Sequence, residues 1–260
     1  MSEFQTIKYS VANRVATIRL NRPEAMNAIS QKMRLELKQA IDTAEASDDV
    51  RVVIISAEGR GFCSGTDLSE GLAGFKTIDA QIQQEYMPVL MGIHDASKLY
   101  IASVHGACAG IGAALAMTCD LAVMADDAFL YLAFAGLSLV PDGGMSYHLV
   151  NALGYKKAMQ LFAEAGRLPA LECEKYGLVN KVVAPADLAS ETRAWAQTLA
   201  EGAPIAQRFG KQIMRAVHDS SYREIAAKES GLQNSCMISE DCQSAIKAFF
   251  QKQKPVFRGV

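Results

Sequence analysis

Apolar and polar positions alternate from Val15 to Leu20, with Ala16, Ile18 and Leu20 on one face and Thr17 and Arg19 on the other. That period of two predicts a half-buried strand, and residues 7–10, across the turn at Ala12-Asn13-Arg14, complete a hairpin. The period then changes. Met33, Leu37, Ile41 and Ala44 recur at helical spacing behind Ser30, whose hydroxyl suits a helix start, so a helix is predicted there. Continuous apolar runs at residues 52–55 and 100–104, and shorter ones at 121–124 and 129–132 around the turn Asp126-Asp127, read as buried strands. Residues 155–165 predict a helix closed by Gly166, and residues 178–183 are again extended. From about Pro185 only helical periods remain, at residues 186–201, 204–217, 221–237 and 239–252, where Pro255 stops them. Strand-strand-helix units followed by helices alone predict an α/β core over residues 1–185 and a helical region over 186–260. Residues 71–88, with Gly74, several glutamines and Pro88, predict a mobile flap.

Composition narrows the classes of function. Half of the 260 residues are apolar, enough for one large core or a core with an appendage. The net charge of -2 comes from dispersed acids and bases. That excludes a clustered basic face for nucleic acid or a membrane surface. Residues 101–125 are apolar and contain the GxxxG of Gly106 and Gly110, yet His105, Asp120 and the glycines interrupt any membrane span. Six cysteines, Cys63, Cys108, Cys119, Cys173, Cys236 and Cys242, form no CxxC pair and predict reduced core thiols without a metal centre. The first ten residues carry Glu3, Gln5 and Lys8 and no apolar signal core, so a cytoplasmic protein is expected.

The candidate chemistry lies in two loops of small residues that follow buried strands: Gly59-Arg60-Gly61-Phe62-Cys63-Ser64-Gly65-Thr66-Asp67-Leu68, and Val104-His105-Gly106-Ala107-Cys108-Ala109-Gly110-Ile111-Gly112. Small side chains let a ligand approach the main chain, and exposed N–H groups stabilise a carbonyl oxygen that gains negative charge. Two such loops predict one oxyanion hole. The second loop also fits the glycine turn of a short-chain dehydrogenase, with Asp126 or Asp127 as the ribose acid. Against that reading, the loop sits a hundred residues into the chain, Thr118-Cys119-Asp120 cuts its helix short, and no Tyr precedes a Lys by four residues.

Five separated segments then agree in order with one family. Leu20-Asn21-Arg22-Pro23-Glu24-Ala25-Met26-Asn27-Ala28, the loop from Phe62 to Leu68, Gly110-Ile111-Gly112, Leu139-Val140-Pro141-Asp142-Gly143-Gly144 and Lys252-Gln253-Lys254-Pro255-Val256-Phe257 together resemble the enoyl-CoA hydratase/isomerase (crotonase) family. The resemblance implies a spiral of strand-strand-helix turns whose helical tail associates into a homotrimer or a dimer of trimers. It implies an acyl-CoA thioester as partner, with coenzyme A entering as part of the substrate and no prosthetic group. By position, the N–H groups of Ser64 and Ile111 hold the thioester oxygen, with the start of the short helix near Gly112 pointing at it. Ala28, Phe62, Ser64, Gly65, Thr66, Asp67, Leu68 and Gly110 would line the coenzyme; Asp67 reads equally well as a loop cap.

The departures from the family are the sharper signal. Its hydratases carry two glutamates, and their positions here are Ala114 and Phe134, neither of which can transfer a proton. Adding water needs one group to activate it and a proton for the other carbon, so ordinary hydration is expected to be crippled. Asp142 remains, in a loop where isomerases of this family place an acid. Moving a double bond needs only one base that takes and returns a proton. Asp142 is thus the candidate catalytic acid/base, or else the N-cap of a helix beginning near Gly144. The expected activity is double-bond isomerisation of an enoyl-CoA through an enolate held in the oxyanion hole. A hydratase with an unidentified water-binding residue, and a silent acyl-CoA binder, remain as alternatives. His105 and His148 read as packed side chains with a lesser claim to base chemistry, and His94 and His218 as helix-surface residues. Cys63 reads as a buried thiol, and Phe129 to Phe134 as an apolar strand that would also make an acyl pocket greasy.

Overall fold

The structure is a computed structural model describing residues 4–260; the part of the leader reading that rests on Glu3 lies outside the described residues. The predicted hairpin forms from β1 (Ile7–Ala12) and β2 (Val15–Leu20), paired antiparallel across Asn13 and Arg14, both in the left-handed region. Helix α1 (Gln31–Ala46) starts where expected, with Ser30 Oγ accepting the Met33 N–H at 3.2 Å. Its predicted stripe of Met33, Leu37, Ile41 and Ala44 is buried. At its other end Lys98 Nζ donates to the carbonyls of Glu45 (3.1 Å) and Ser47 (2.6 Å), placing a cation at the negative end of the helix dipole.

Each following unit adds one strand to the same sheet. Strands β3 (Val52–Ala57), β4 (Leu99–Val104), β6 (Leu121–Ala125) and β9 (Lys181–Val183) continue from β2 in the order β1-β2-β3-β4-β6-β9, all parallel after the first pair. A second sheet of β5 (Ala107–Ala109), β7 (Phe129–Tyr131) and β8 (Arg167–Pro169) runs alongside. Chain passing from the first sheet to the second and back through a helix produces the expected spiral. Asp126 and Asp127 lie exposed at the turn between β6 and β7.

The flap departs from expectation. Its second half is helical from Ile78 to His94: α2 (Ile78–Gln81), a π-helical turn Ile82–Tyr86, and α3 (Met87–His94), with Pro88 tolerated at the start of α3. Tyr86, Val89, Leu90 and Ile93 bury against the core, so of the expected flap only residues 71–77 remain irregular.

After α4 (Gly110–Thr118), α5 (Met145–Leu153), α6 (Tyr155–Ala163) and α7 (Ala170–Lys175), the predicted helical region appears as α8 (Leu188–Ala200), α9 (Pro204–Ala216), α10 (Tyr222–Met237) and α11 (Glu240–Phe250). Helix α9 is bolted to the core by ions: Asp120 accepts from Lys211 at 2.9 Å and from Arg215 at 2.8 Å. No residue of α10 is buried. Among the described residues no helix is long and apolar enough to cross a membrane.

Candidate active site

The two glycine loops meet. Cys63 N–H donates to Ala107 O (3.1 Å), and Ala109 N–H donates to Cys63 O (2.8 Å), making a short parallel bridge. The bridge continues into contact between the loops, since a Cβ on Gly110 would lie 3.7 Å from Gly65 Cα. Gly112 is required by the same contact, because a Cβ there would fall 2.5 Å from the Cys63 side chain. The start of α4 is thus pressed against the loop 63–66.

The hydrogen-bond inventory assigns the donors. Ile111 is the second residue of α4, where an N–H has no intrahelical acceptor, and its amide is available beside Gly65. Ser64 is not available: its N–H donates to Met26 O at 3.0 Å. Gly65 N–H is turned back to Cys63 Sγ at 3.4 Å. Thr66 N–H has no acceptor among the described residues. Gly65, between them, has φ +102° and interrupts the extended run, so the Ser64 and Thr66 amides are not held to one side. The Ser64 amide expected as a donor is thus already engaged, and among the described residues the free amide of this loop is that of Thr66.

The other expected contact residues divide. Ala28 O accepts from Arg22 Nη1 at 2.7 Å, and the same guanidinium holds Asp67 at 2.8 Å. Asp67 also accepts from the Ser69 N–H and hydroxyl, which with Arg22 holds its carboxyl below the usual range. It is the loop cap of the two readings. Phe62 is fully buried and its N–H donates to His105 O, so it packs and does not face a ligand. Leu68 is exposed at the loop's end.

Ala114 is fully buried on α4, and Phe134 lies near the loop junction, its Cζ 4.0 Å from where a Gly110 Cβ would stand. The loop carrying Asp142 packs on the same helix: a Cβ on Gly143 would fall 2.3 Å from Ile111 Cδ1 and 2.8 Å from Ala114 Cβ. Asp142 therefore directly precedes a residue packed on the Ile111 and Ala114 side chains of α4. Its side chain does not cap α5, whose N-cap is Gly144 without a side-chain bond; only the Asp142 carbonyl accepts, from Met145 N–H at 3.0 Å. Asp142 Oδ1 is buried and has no partner among the described residues. Burial pushes its carboxyl up from 3.8 to about 6, within reach of neutral-pH proton transfer.

The remaining titratable candidates are excluded by their surroundings. Burial pushes the Cys63 thiol up to about 12, and all six cysteines are free. His105 Nε2 is occupied by Gly59 O at 3.0 Å. Burial, with Arg215 and His94, drives His148 down to about 4, and it lines a cavity of about 990 Å3 that opens between α5, α8 and α9. That cavity contains none of the loop residues. Among the described residues no cluster of His, Cys, Asp and Glu could hold a metal ion. Two features of this junction escaped the sequence reading, the free Thr66 amide and a buried Arg34–Tyr86 pair bonded to the Thr66 side chain. The apolar spacing of Tyr86, Val89, Leu90 and Ile93 carried the only signal for the latter.

With this geometry in place, comparison with known proteins is informative. Residues 10–260 match the family model described as enoyl-CoA hydratase/isomerase. A protein of Rhodobacter capsulatus named a probable enoyl-CoA hydratase is 33% identical over 98% of this chain and 99% of its own. The trans-2-decenoyl-[acyl-carrier-protein] isomerase of Streptococcus mutans is 30% identical over 99% of each chain. The crystal structure of an enoyl-CoA hydratase subunit from Geobacillus kaustophilus superposes with a TM-score of 0.93 at 31% identity, covering all of both chains. Spiral, paired loops and sequence agree, and the chain belongs to the enoyl-CoA hydratase/isomerase family.

Proposed function

We propose that this enzyme moves a double bond in an enoyl-CoA thioester. The amides of Thr66 and Ile111 hold the thioester oxygen, and the Asp142 carboxylate removes the α-proton. An enolate forms, stabilised by the two donors and by the start of α4, each donor contributing about 3 kcal/mol. The acid form of Asp142 then protonates the γ-carbon and the base is regenerated. Ala114 and Phe134 offer no second proton-transfer group, so the cycle runs through one carboxylate. The observation that carries this reading is the buried, unpartnered Asp142 Oδ1 on the loop whose next residue, Gly143, packs on Ile111 and Ala114.

Hydration is the second reading, favoured by the hydratase name of the Rhodobacter capsulatus relative. A direct assay separates them. Purified enzyme with a 3-enoyl-CoA in deuterium oxide should give the conjugated isomer with deuterium in the product, while crotonyl-CoA should be hydrated very slowly. Brisk hydration of crotonyl-CoA without isomerisation would overturn the proposal, and binding without either reaction would make the chain a silent acyl-CoA binder.

Self-association belongs to the same proposal. Tyr222, Ile238, Phe249 and Phe250 are more than three-quarters exposed on α10, α11 and their junction. That much apolar surface exceeds what a solvated tail needs. A homotrimer or a dimer of trimers is expected by sedimentation at micromolar concentration, and a monomer would refute it.

A further inference from the structure

Behind the loop junction lies a polar cluster that the proposed proton transfers do not use. Arg34, on α1, is 1% exposed, and Tyr86, the last residue of the π-helical turn, is 4% exposed. A buried cation is costly unless it is fully bonded, and this one is held on several sides. Arg34 Nε donates to Glu85 Oε2 at 2.7 Å, and Nη1 donates to Ile29 O at 3.2 Å and to the Tyr86 hydroxyl at 2.9 Å. The guanidinium also lies 4.6 Å from the centre of the Tyr86 ring. Glu85 accepts a second bond from Gln31 at 2.7 Å. A π-helical turn adds a residue to the helical circuit, and here it brings the adjacent Glu85 and Tyr86 to one guanidinium.

The far side of the tyrosine points at the catalytic loop. Its hydroxyl, accepting from Arg34, donates to Thr66 Oγ1 at 3.1 Å. Burial raises the hydroxyl above its ordinary value, so it remains a protonated donor. On the main chain, Ile29 N–H donates to Gly65 O (2.8 Å) and Asp67 N–H donates to Ile29 O (3.2 Å), so Thr66 is fixed on both flanks by the strand that Arg34 also holds. Between those flanking bonds the Thr66 amide alone stays free.

We infer that Tyr86 is a positioning residue: its hydroxyl, oriented by Arg34, anchors the Thr66 side chain and so aims the Thr66 N–H at the thioester oxygen. The inference rests on the reading of Thr66 as an oxyanion donor. It assigns the helical half of the expected flap a function in aiming that donor.

Tyr86→Phe keeps the ring and its packing and removes only the hydroxyl. Its test combines turnover with the infrared carbonyl stretch of a bound enoyl-CoA, which falls in frequency as the hole polarises the thioester. Expected for Tyr86→Phe are a loss of about tenfold in kcat, a KM within twofold of wild type and a smaller carbonyl shift, since small misplacements near a reacting centre cost rate. Thr66→Val, which removes the acceptor of the same bond, should give a similar loss. The double variant should be no worse than either single one, and Thr66→Ser should restore the shift. If Tyr86→Phe fails to fold, the Thr66 pair carries the test alone. A full wild-type carbonyl shift and kcat in Tyr86→Phe, or in Thr66→Val, would overturn the inference, as would additive losses in the double variant. If wild-type enzyme binds the thioester with no carbonyl shift, the oxyanion-hole reading itself fails, whatever Tyr86 does.

Discussion

Replacing Asp142 by Asn should abolish catalysis and make the protein more stable, and the two effects have one cause. Burial lifts the Asp142 carboxyl from 3.8 to about 6. A carboxyl raised in the folded state disfavours folding wherever it must be ionised. The cost is absent below 3.8, grows as pH rises from 3.8 to about 6, and is constant above that. At about 1.4 kcal/mol for each pH unit, the plateau is up to about 3 kcal/mol. The Asn side chain resembles the protonated acid in size and carries no charge, so it removes this cost without opening a cavity. Denaturant midpoints should therefore coincide for wild type and Asp142→Asn near pH 3.5 and separate progressively toward pH 7, the variant being more stable. Turnover of a 3-enoyl-CoA by wild type should rise with pH through a midpoint of about 6, because the base must be ionised. The variant should be at least about a hundredfold slower at every pH. A variant that isomerises like wild type, or one less stable at pH 7 with no dependence of the difference on pH, would refute the assignment of Asp142 as a buried base.

The donors can be tested at single amides. Ile111→Pro deletes an N–H that no helical bond uses, and turnover should fall by about a hundredfold or more; Ser64→Ala should leave turnover within twofold, because it keeps the main-chain N–H and removes only an exposed hydroxyl 3.4 Å from Ala25 O. Gly143→Ala should be destabilising by more than about 1 kcal/mol and should slow turnover, since φ is +61° and the new methyl would lie 2.3 Å from Ile111 Cδ1; normal kcat in a folded variant would show that Asp142 needs no such packing. Ala114→Glu should fail to create a hydratase and should lower the melting temperature, because the site is fully buried against Gly143 and provides no partner for a charge; measurable crotonyl-CoA hydration in that variant would contradict the packing argument.

Legibility in the sequence followed the strength of the local signal. The stripe of α1 and its Ser30 cap, the hairpin, and the four C-terminal helices were readable within a few residues, because period and capping chemistry are both local. The helix through residues 78–94 was missed because Gly74, the glutamines and Pro88 outweighed its apolar positions. A proline in the first turn of α3 breaks no bond there, and the π-helical turn before it shifts the stripe out of the usual spacing. Asp142 was located by sequence, yet whether its side chain caps a helix depended on the loop around it, where Gly144 takes the N-cap position and Gly143 packs on α4, a contact between distant segments.

The free amide at Thr66, where Ser64 was expected, shows a finer limit. The loop was found from its small residues, but which amide is left free depends on what each neighbouring amide binds, and Gly65, at φ +102°, interrupts the extended run between Ser64 and Thr66. What each amide binds is set by partners far away in sequence. Met26 O takes the Ser64 amide, Ile29 takes the flanking bonds of Gly65 and Asp67, and Tyr86 takes the Thr66 hydroxyl. Those three partners come from the turn before α1, the strand-like residue ahead of its cap, and the end of the π-helical turn. Each holds the loop through a group other than the Thr66 N–H. The free donor is what remains when every neighbouring polar group has been satisfied, and an unsatisfied amide beside a second one at a helix start is stable in water only because solvent or a ligand oxygen can reach it.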